Sequence, residues 1–485
     1  MISFIPKLCY YAFGLGFPLN LLYLVPFLVF FPFVKKLFKN KYFRILFFVL
    51  PSTIIFIKIL RNDPFFLSDD FAHLKLVTYY SYFEILKMAL SNPGIWVGHH
   101  IVSAFWLFKI IFDTFGTKVE SYLFVNYILQ VLNLIIFYNI LEKIGKRTFI
   151  SVFVTFLLGF NYLTWISNMH EILGGTFVLL AVYFWVKYLQ QKSGLFLVVV
   201  YYLLALVSKE ITFFLFPALI LISIFYNFTV RKLEIKKYKS SIIILSSIFI
   251  LYLLFFAWKF TDYSRLPVDE GYKIAFSIEV VMKNIVVYTS MLVPFLRNSY
   301  FLTWLFFVLF IGFDFWKRKP ITTPFLVSYL LFLLPPSLFT NRISNYYTYI
   351  PSFFLFMGIA QVFWELARRK IFSNKFAVGV VILVITIYIF GVNKLLMDNC
   401  FLIQVPWQKP YTSAFYALRN NLNRLWISGE LTIGKEIMIK EEEKSLDMQA
   451  LYETGALQLF INDKEARNLS FIYNKDRGTL EVSQK

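Results

Sequence analysis

Residues 118–147 read KVESYLFVNYILQVLNLIIFYNILEKIGKR. The stretch 118–140 is apolar and long enough to cross a bilayer core, which takes about 20 residues of helix. Directly behind it Lys143, Lys146 and Arg147 form a short basic loop. The same arrangement recurs along the chain. Lys35, Lys36, Lys39, Lys41 and Arg44 form another such loop, and so do Arg231, Lys232, Lys236, Lys237 and Lys239. Lys317, Arg318 and Lys319, and then Arg368, Arg369 and Lys370, complete the series. Short loops rich in Lys and Arg between apolar spans carry the positive-inside signature, so these loops are expected on the cytoplasmic side.

Composition agrees with that reading. The 485 residues are 59% hydrophobic, 21% aromatic and 16% charged, with a mean hydropathy of +0.66. A soluble domain carries about 25% charged residues, and a water-soluble core of this size would not hide 60 Phe and 31 Tyr. The runs are long and rich in Phe, Ile and Leu, without the short alternation of an outer-membrane barrel. The net charge of +20 is spread over short loops, which argues against a nucleic-acid partner. Cys9 and Cys400 give no disulfide framework. The first apolar run is interrupted by Pro18, Pro26 and Pro32 and lacks a basic lead-in beyond Lys7, so no cleavable signal peptide is expected.

The expected fold is an all-α polytopic membrane protein of about twelve spans. They lie near 8–34, 43–60, 118–140, 149–168, 171–187, 194–208, 211–229, 240–259, 299–316, 321–339, 348–366 and 376–393. Parity makes the semi-apolar stretches 95–115 and 276–297 external juxtamembrane helices, because inserting one alone would turn the later basic loops outward. The N-terminus then falls outside. Three regions follow: residues 1–42, a membrane helix with a basic loop; 43–395, the membrane domain with its first external loop at 61–117; and 396–485. In the last region charges become frequent, and Gly429, Gly434, Gly455 and Gly478 punctuate β-like runs at 436–440, 456–461 and 469–473. This reads as a small external α+β appendage.

Ser68-Asp69-Asp70-Phe71 places two adjacent carboxylates in the first loop, just beyond a membrane helix. Ionisable groups beside lipid are costly and mark function by default. One of them suffices for a helix N-cap. Adjacent positions on a helix point in different directions, so one carboxylate can cap while the other faces a cleft as a general base. His73 lies one turn on and either pairs with an Asp, contacts a phosphate or sits on the surface. His99 and His100 follow Asn92-Pro93-Gly94 and lack the i, i+4 spacing of a metal pair. No HExxH or CxxC pattern occurs, so no metal is assigned; Asp69 or Asp70 could still bind a divalent cation. Asn126, Gln130 and Asn133 form a stripe read as interhelical packing glue.

Three further external junctions carry candidate site residues. One holds Asn168, His170 and Glu171; another holds Ser208, Lys209 and Glu210. The Lys209–Glu210 pair either neutralises itself at the turn or lines the site. The third holds Arg342, Asn345, Tyr346, Tyr347 and Tyr349. Tyr at an interface is usually an anchor, whereas Arg342 has the planar fork that grips a phosphate. Lys259, Arg265 and Arg297 add cations on the same side. Carboxylates, His and cations thus project to one membrane face from separate helix ends, an assortment suited to a proton-accepting carboxylate opposite a phosphate.

At these residues the chain resembles the polytopic C-type glycosyltransferases, the GT-C superfamily of protein O-mannosyltransferases (dolichyl-phosphate-mannose-protein mannosyltransferases) and their bacterial relatives. Asp69-Asp70 stands in the first external loop like the family's acidic pair. Phe112-Asp113-Thr114-Phe115-Gly116, with Tyr122, Asn126 and Gln130, resembles its G…Y…N…H helix start, with Gln130 where a His is common. Residues 161–174, with Trp165-Ile166-Ser167, resemble the third external turn. Residues 203–210, ending Ser208-Lys209-Glu210, are similar to the "LLSKE" turn of tetratricopeptide-bearing mannosyltransferases. NYYTYIPS at 345–352 is similar to their "RYLYLPS", with Asn345 replacing the Arg and Arg342 three residues earlier as a substitute. The family's Arg-Pro before the second span is missing, with His99-His100 in that region, and the tetratricopeptide repeats are absent. The resemblance covers about residues 43–395.

What the resemblance implies is inverting transfer of a sugar from a polyprenyl-phosphate donor to an external acceptor, in a multi-pass protein of the cell membrane. A loop Asp is the base, Asp69 first by position and Asp70 next. Cations stabilise the departing lipid phosphate. Two other readings compete: a lipid-linked glycan transporter or flippase, and an O-antigen-type ligase or polymerase using Arg265 and Arg297.

Overall fold

The structure is a computed structural model that describes residues 39–61, 66, 69–90, 102–145, 148–161, 166–230, 238–263, 274–293, 296, 298–340, 343–368, 418, 420–432, 435–438, 469–474 and 479–484. The expected spans 8–34 and 376–393, the run 456–461, and His99, His100, Trp165, Arg265, Arg297 and Arg342 lie outside the described residues.

Helix α1 (Lys41–Leu60) starts on Asn40, whose side chain accepts from the backbone N–H of Tyr42 and Phe43. That pairing satisfies donors that every helix start leaves open. The first loop then folds into α2 (Asp69–Tyr79), α3 (Tyr82–Leu90) and α4 (Val102–Phe115). Next come α5 (Val119–Gly145), α6 (Thr148–Leu158), a 3₁₀ turn (Ile166–Asn168), α7 (Met169–Gln191) and α8 (Leu195–Leu206). A second 3₁₀ turn (Glu210–Phe214) leads to α9 (Leu215–Thr229) and α10 (Lys239–Tyr263). The chain continues with α11 (Ile278–Leu292), α12 (Tyr300–Lys317), α13 (Thr323–Ser337), a third 3₁₀ turn (Asn345–Thr348) and α14 (Tyr349–Arg368).

Among the described residues six helical stretches are long and apolar enough to cross a membrane: Val119–Gly145, Ile166–Gln191, Glu210–Thr229, Lys239–Trp258, Tyr300–Lys317 and Asn345–Arg368. Thr148–Leu158, Leu195–Leu206 and Thr323–Ser337 are apolar but shorter. The protein is therefore a helical membrane protein. The continuous helix expected over 149–168 is interrupted. It stops at Leu158, and a Cβ at Gly159 would stand 2.9 Å from the Phe48 carbonyl of α1. Helices are present within both semi-apolar stretches, at Val102–Phe115 and Ile278–Leu292.

Side-chain bonds fix the direction of each helix. Asn126 near the start of α5 donates to the Ile166 carbonyl at the start of α7, and Gln190 at the end of α7 donates to the Lys143 carbonyl at the end of α5. Helices α5 and α7 therefore run the same way, with α6 returning between them. Arg44 donates to the Tyr138 hydroxyl at 2.6 Å, Tyr238 to the Leu189 carbonyl, and Lys317 pairs with Glu365 at 2.8 Å. One end of the bundle thus gathers the basic flanks of α1, α5, α7, α10, α12 and α14. The opposite end carries the first-loop helices and the 3₁₀ turns at Ile166–Asn168, Glu210–Phe214 and Asn345–Thr348.

The polar stripe of α5 is interhelical glue, as expected. Asn133 donates to the Ile172 carbonyl at 3.0 Å and to the Tyr349 hydroxyl at 2.9 Å. Tyr349 donates to Gln130, Gln130 donates to Ser52 at 3.5 Å, and Ser52 donates to the Gly159 carbonyl at 2.7 Å. Four helices and the α6 terminus are thereby joined through groups that lipid could not satisfy.

Beyond residue 396, β1 (Glu436–Met438), β2 (Leu469–Asn474) and β3 (Thr479–Gln484) form an antiparallel sheet in the order β1-β3-β2. Two of its strands fall on expected runs; β3 does not, because TLEVSQ alternates with only two strongly apolar residues. Leu422, Leu425, Ile437, Phe471, Leu480 and Val482 belong to the same apolar cluster as Phe66, Leu74 and Phe105 of the first loop.

Candidate functional site

Lys209 follows α8, which ends when Val207, Ser208 and Lys209 turn back toward the second 3₁₀ turn. Its Nζ lies 3.0 Å from Glu171 Oε1 and 3.7 Å from Glu210 Oε2. The Lys209 side chain is 6% exposed and that of Glu171 0%. Glu171 belongs to the first turn of α7, where a carboxylate suits the helix dipole. His170 Nε2 lies 3.7 Å from the same Glu171 oxygen. The rings of Tyr346 and Tyr347 stand 6.0 Å from Lys209 Nζ, at the outer limit of a cation–π contact.

At Gly174 a Cβ would make ordinary contacts, 3.4 Å from Lys209 Cβ and 3.6 Å from Ser208 Cβ. A Cβ at Gly175 would stand 2.8 Å from the Tyr349 ring, which must shift to admit one. Gly175 thus lets α7 receive α14 closely. Burial penalises the Lys209 ammonium, but the Glu171 and Glu210 carboxylates outweigh that and hold its pKa above the ordinary lysine value. The amine is therefore a cation despite being enclosed. Along α7, Glu171 is about 30 Å from Gln191 at 1.5 Å per residue, a full bilayer core from the basic end.

The first loop reaches this cluster at two places. Asp70 in α2 is fully buried, and its carboxylate accepts a hydrogen bond from Ser167 Oγ in the first 3₁₀ turn. At the start of α4 the Ser103 N–H donates to the Val207 carbonyl at 3.3 Å, and the Ser103 and Ser208 hydroxyls share a hydrogen bond. His73, one turn beyond Asp70, is buried with its ring edge-on to Phe105 and Phe108. Lys109 and Asp113 pair at 3.3 Å on α4, and Tyr82 donates to Asp113 at 3.0 Å.

Of the residues singled out in the sequence, His170, Glu171, Lys209, Glu210 and Tyr346 converge on one cluster. Asp70 is bonded to Ser167, four residues before Glu171 of that cluster. Asp69 lies in the same helical turn as Asp70. Among the described residues, no group of three or more His, Cys, Asp or Glu side chains is arranged to hold a metal ion. Ser103 and Ser167, which secure the loop, carry no role in the sequence reading. A lone Ser has no pattern, and their partners lie 105 and 97 residues away.

Fold and site together define a helical membrane protein with a buried, charged cluster at one end of its bundle. Comparison with known protein families, with curated proteins and with solved structures finds no match.

Proposed function

We propose that this protein is a membrane glycosyltransferase. It moves a sugar, with inversion, from a polyprenyl-phosphate donor to an external acceptor, which is a protein, lipid or glycan. In this reading the chain crosses the cell membrane about twelve times and turns its basic end to the cytoplasm. The first-loop helices, the three 3₁₀ turns and the α+β appendage then lie outside.

The single observation that carries the reading is the junction of Asp70's helix with the Glu171–Lys209–Glu210 cluster. A loop carboxylate, Asp69 or Asp70, takes the proton of the acceptor hydroxyl or amine as that atom attacks the anomeric carbon. The bond from that carbon to the phosphate oxygen breaks, and the lipid phosphate leaves with the electron pair. Lys209, kept charged by two carboxylates, meets the anion developing there. His73, His99, His100, His170, Tyr346 and Arg342 complete the proposed substrate contacts, with Arg342 as the second phosphate-binding cation. The lipid chain remains among the helices while its head group meets the loop.

Asp69→Asn and Asp70→Asn are expected to abolish transfer in proteoliposomes while the folded protein is still recovered. Full activity in both variants and in the double variant would end this reading. A second reading, transport of a lipid-linked glycan, draws on the short 3₁₀ breaks beside the buried ion pair, because transporters place ionisable groups at interrupted helices. Transport without release of lipid phosphate would select it.

A further inference from the structure

We propose that Ser167 is the positioning residue of this site, a latch that fixes the acidic pair through Asp70. The inference rests on the glycosyl-transfer reading for its effect on turnover, but not for the latch itself.

Asp70 is fully buried and Ser167 is 3% exposed, so their hydrogen bond is shielded from water. The hydroxyl does not swing freely into place. Ser167 is the middle residue of a three-residue 3₁₀ turn that leads directly into α7. The turn is itself pinned, because Asn126 of α5 donates to the Ile166 carbonyl at 3.3 Å. Ile166 and Met169, on either side, are both buried in the apolar cluster that also holds Leu74 and Phe105. A donor pinned by its own turn therefore meets a carboxylate on a loop helix that α4 also holds, Lys109 donating to the Val77 carbonyl at 2.9 Å. Helix α2 is 11 residues long and weakly amphipathic in sequence, DDFAHLKLVTY. Among its described residues His73, Leu74, Leu76 and Val77 are also buried, and the last three join the apolar cluster that holds Phe105 of α4 and Ile166.

Geometry gives the latch its consequence. Ser167 stands four residues before Glu171, the partner of Lys209. The segment that holds the Asp70 carboxylate is thus continuous with the helix start that holds the ammonium. Fixing Asp70 on Ser167 sets the distance between the proton-accepting pair and the cation that meets the leaving phosphate. A misplacement of about 1 Å at a reacting group can cost on the order of 100-fold in rate.

The test uses the full chain in lipid nanodiscs, with Ser167→Ala, Ser167→Thr, Asp70→Ala and the double variant Ser167→Ala/Asp70→Ala. Hydrogen exchange of residues 69–80 reads the latch without any substrate, and exchange of α5 and α7 verifies the fold. Both alanine variants are expected to lose protection in 69–80, and the double variant to lose no more than the worse single one, as residues sharing one interaction do. Additive losses, or unchanged exchange in Ser167→Ala, would overturn the latch. With a polyprenyl-phosphate sugar donor, Ser167→Ala is expected to lower kcat about 10- to 100-fold with KM for the donor within about twofold. Ser167→Thr, which keeps the hydroxyl, restores most of kcat. A loss carried wholly by KM, or no rescue by Thr, would contradict the positioning role. If the wild-type protein releases no lipid phosphate from any donor, the glycosyl-transfer reading fails and the exchange cycle alone decides the latch.

Discussion

The two ends of the bundle each hold a Lys–Glu pair of nearly equal length, and the two pairs differ in almost everything else. At one end Lys209 and Glu171 meet at 3.0 Å with side chains 6% and 0% exposed. At the other, Lys317 and Glu365 meet at 2.8 Å with side chains 10% and 16% exposed, and Glu365 also pairs with Arg368, which is 54% exposed. The second pair ties the last turns of α12 and α14 where water is at hand. The first encloses a cation between two carboxylates, with two Tyr rings 6.0 Å from its Nζ, whereas Lys317 Nζ lies 4.9 Å from the Trp316 ring. Burying charge is expensive, and a tie between helices does not require it, since Asn133 and Tyr349 join three helices without any charge. Charge is thus enclosed more fully at the Lys209 end, the candidate site, than at the Lys317 end.

Breaking the enclosed pair has the largest expected effect. Lys209→Met leaves Glu171 uncompensated, which costs about 3–5 kcal/mol for a buried pair. Steric-trapping or denaturant unfolding in nanodiscs reads this loss. Lys209→Met combined with Glu171→Leu is expected to recover most of the stability without recovering activity. Equal losses from the single and the double variant would place the cluster's importance elsewhere.

A smaller effect is expected where α7 receives its neighbours. Gly175→Ala brings a Cβ to within 2.8 Å of the Tyr349 ring and, through overpacking, lowers stability by about 1–3 kcal/mol. Unfolding midpoints of the purified variant measure it. At the basic end, Glu365→Gln weakens a pair whose side chains are 10% and 16% exposed and is expected to cost about 1 kcal/mol, less at high salt. A loss as large as that of Lys209→Met would erase the contrast between the two ends.

The smallest effect lies in the first loop and depends on pH. Glu84 accepts from the Ser81 backbone N–H at 2.7 Å and from the Ser81 hydroxyl at 2.8 Å. These bonds and Lys87 hold its pKa below the ordinary carboxylate value. A group lowered in the folded state stabilises it above its unfolded pKa and loses that contribution as pH falls through the folded value. The cap on α3 is therefore fully made at neutral pH and released only in acid below the usual carboxylate range. Amide exchange across 82–90, corrected for intrinsic rates, is expected to rise there, and Glu84→Gln to abolish the step.

The helices and the two-ended charge pattern are legible in the sequence because both are local. The stretch 118–140 and its basic flank appear as α5 with Lys143 in its last turn. The turn at Ser208-Lys209-Glu210 is legible as a charged break between two apolar runs, but not its pairing with Glu171. What joins these turns is not local. Asp70 finds Ser167 across 97 residues, and Glu171 finds Lys209 from a different helix junction. The expected span 149–168 runs past Leu158, although the residues after the break, GFNYLTWISN, are far less apolar than TFISVFVTFLL before it.

The most direct test of the central claim is to incubate the purified protein in proteoliposomes with a panel of polyprenyl-phosphate sugars and an acceptor extract. Mass spectrometry then follows the free lipid phosphate and the sugar. The account predicts release of lipid phosphate from at least one donor, matched by sugar on the acceptor and lost in Asp69→Asn/Asp70→Asn. No release from any donor, or release undiminished in that double variant, would contradict it.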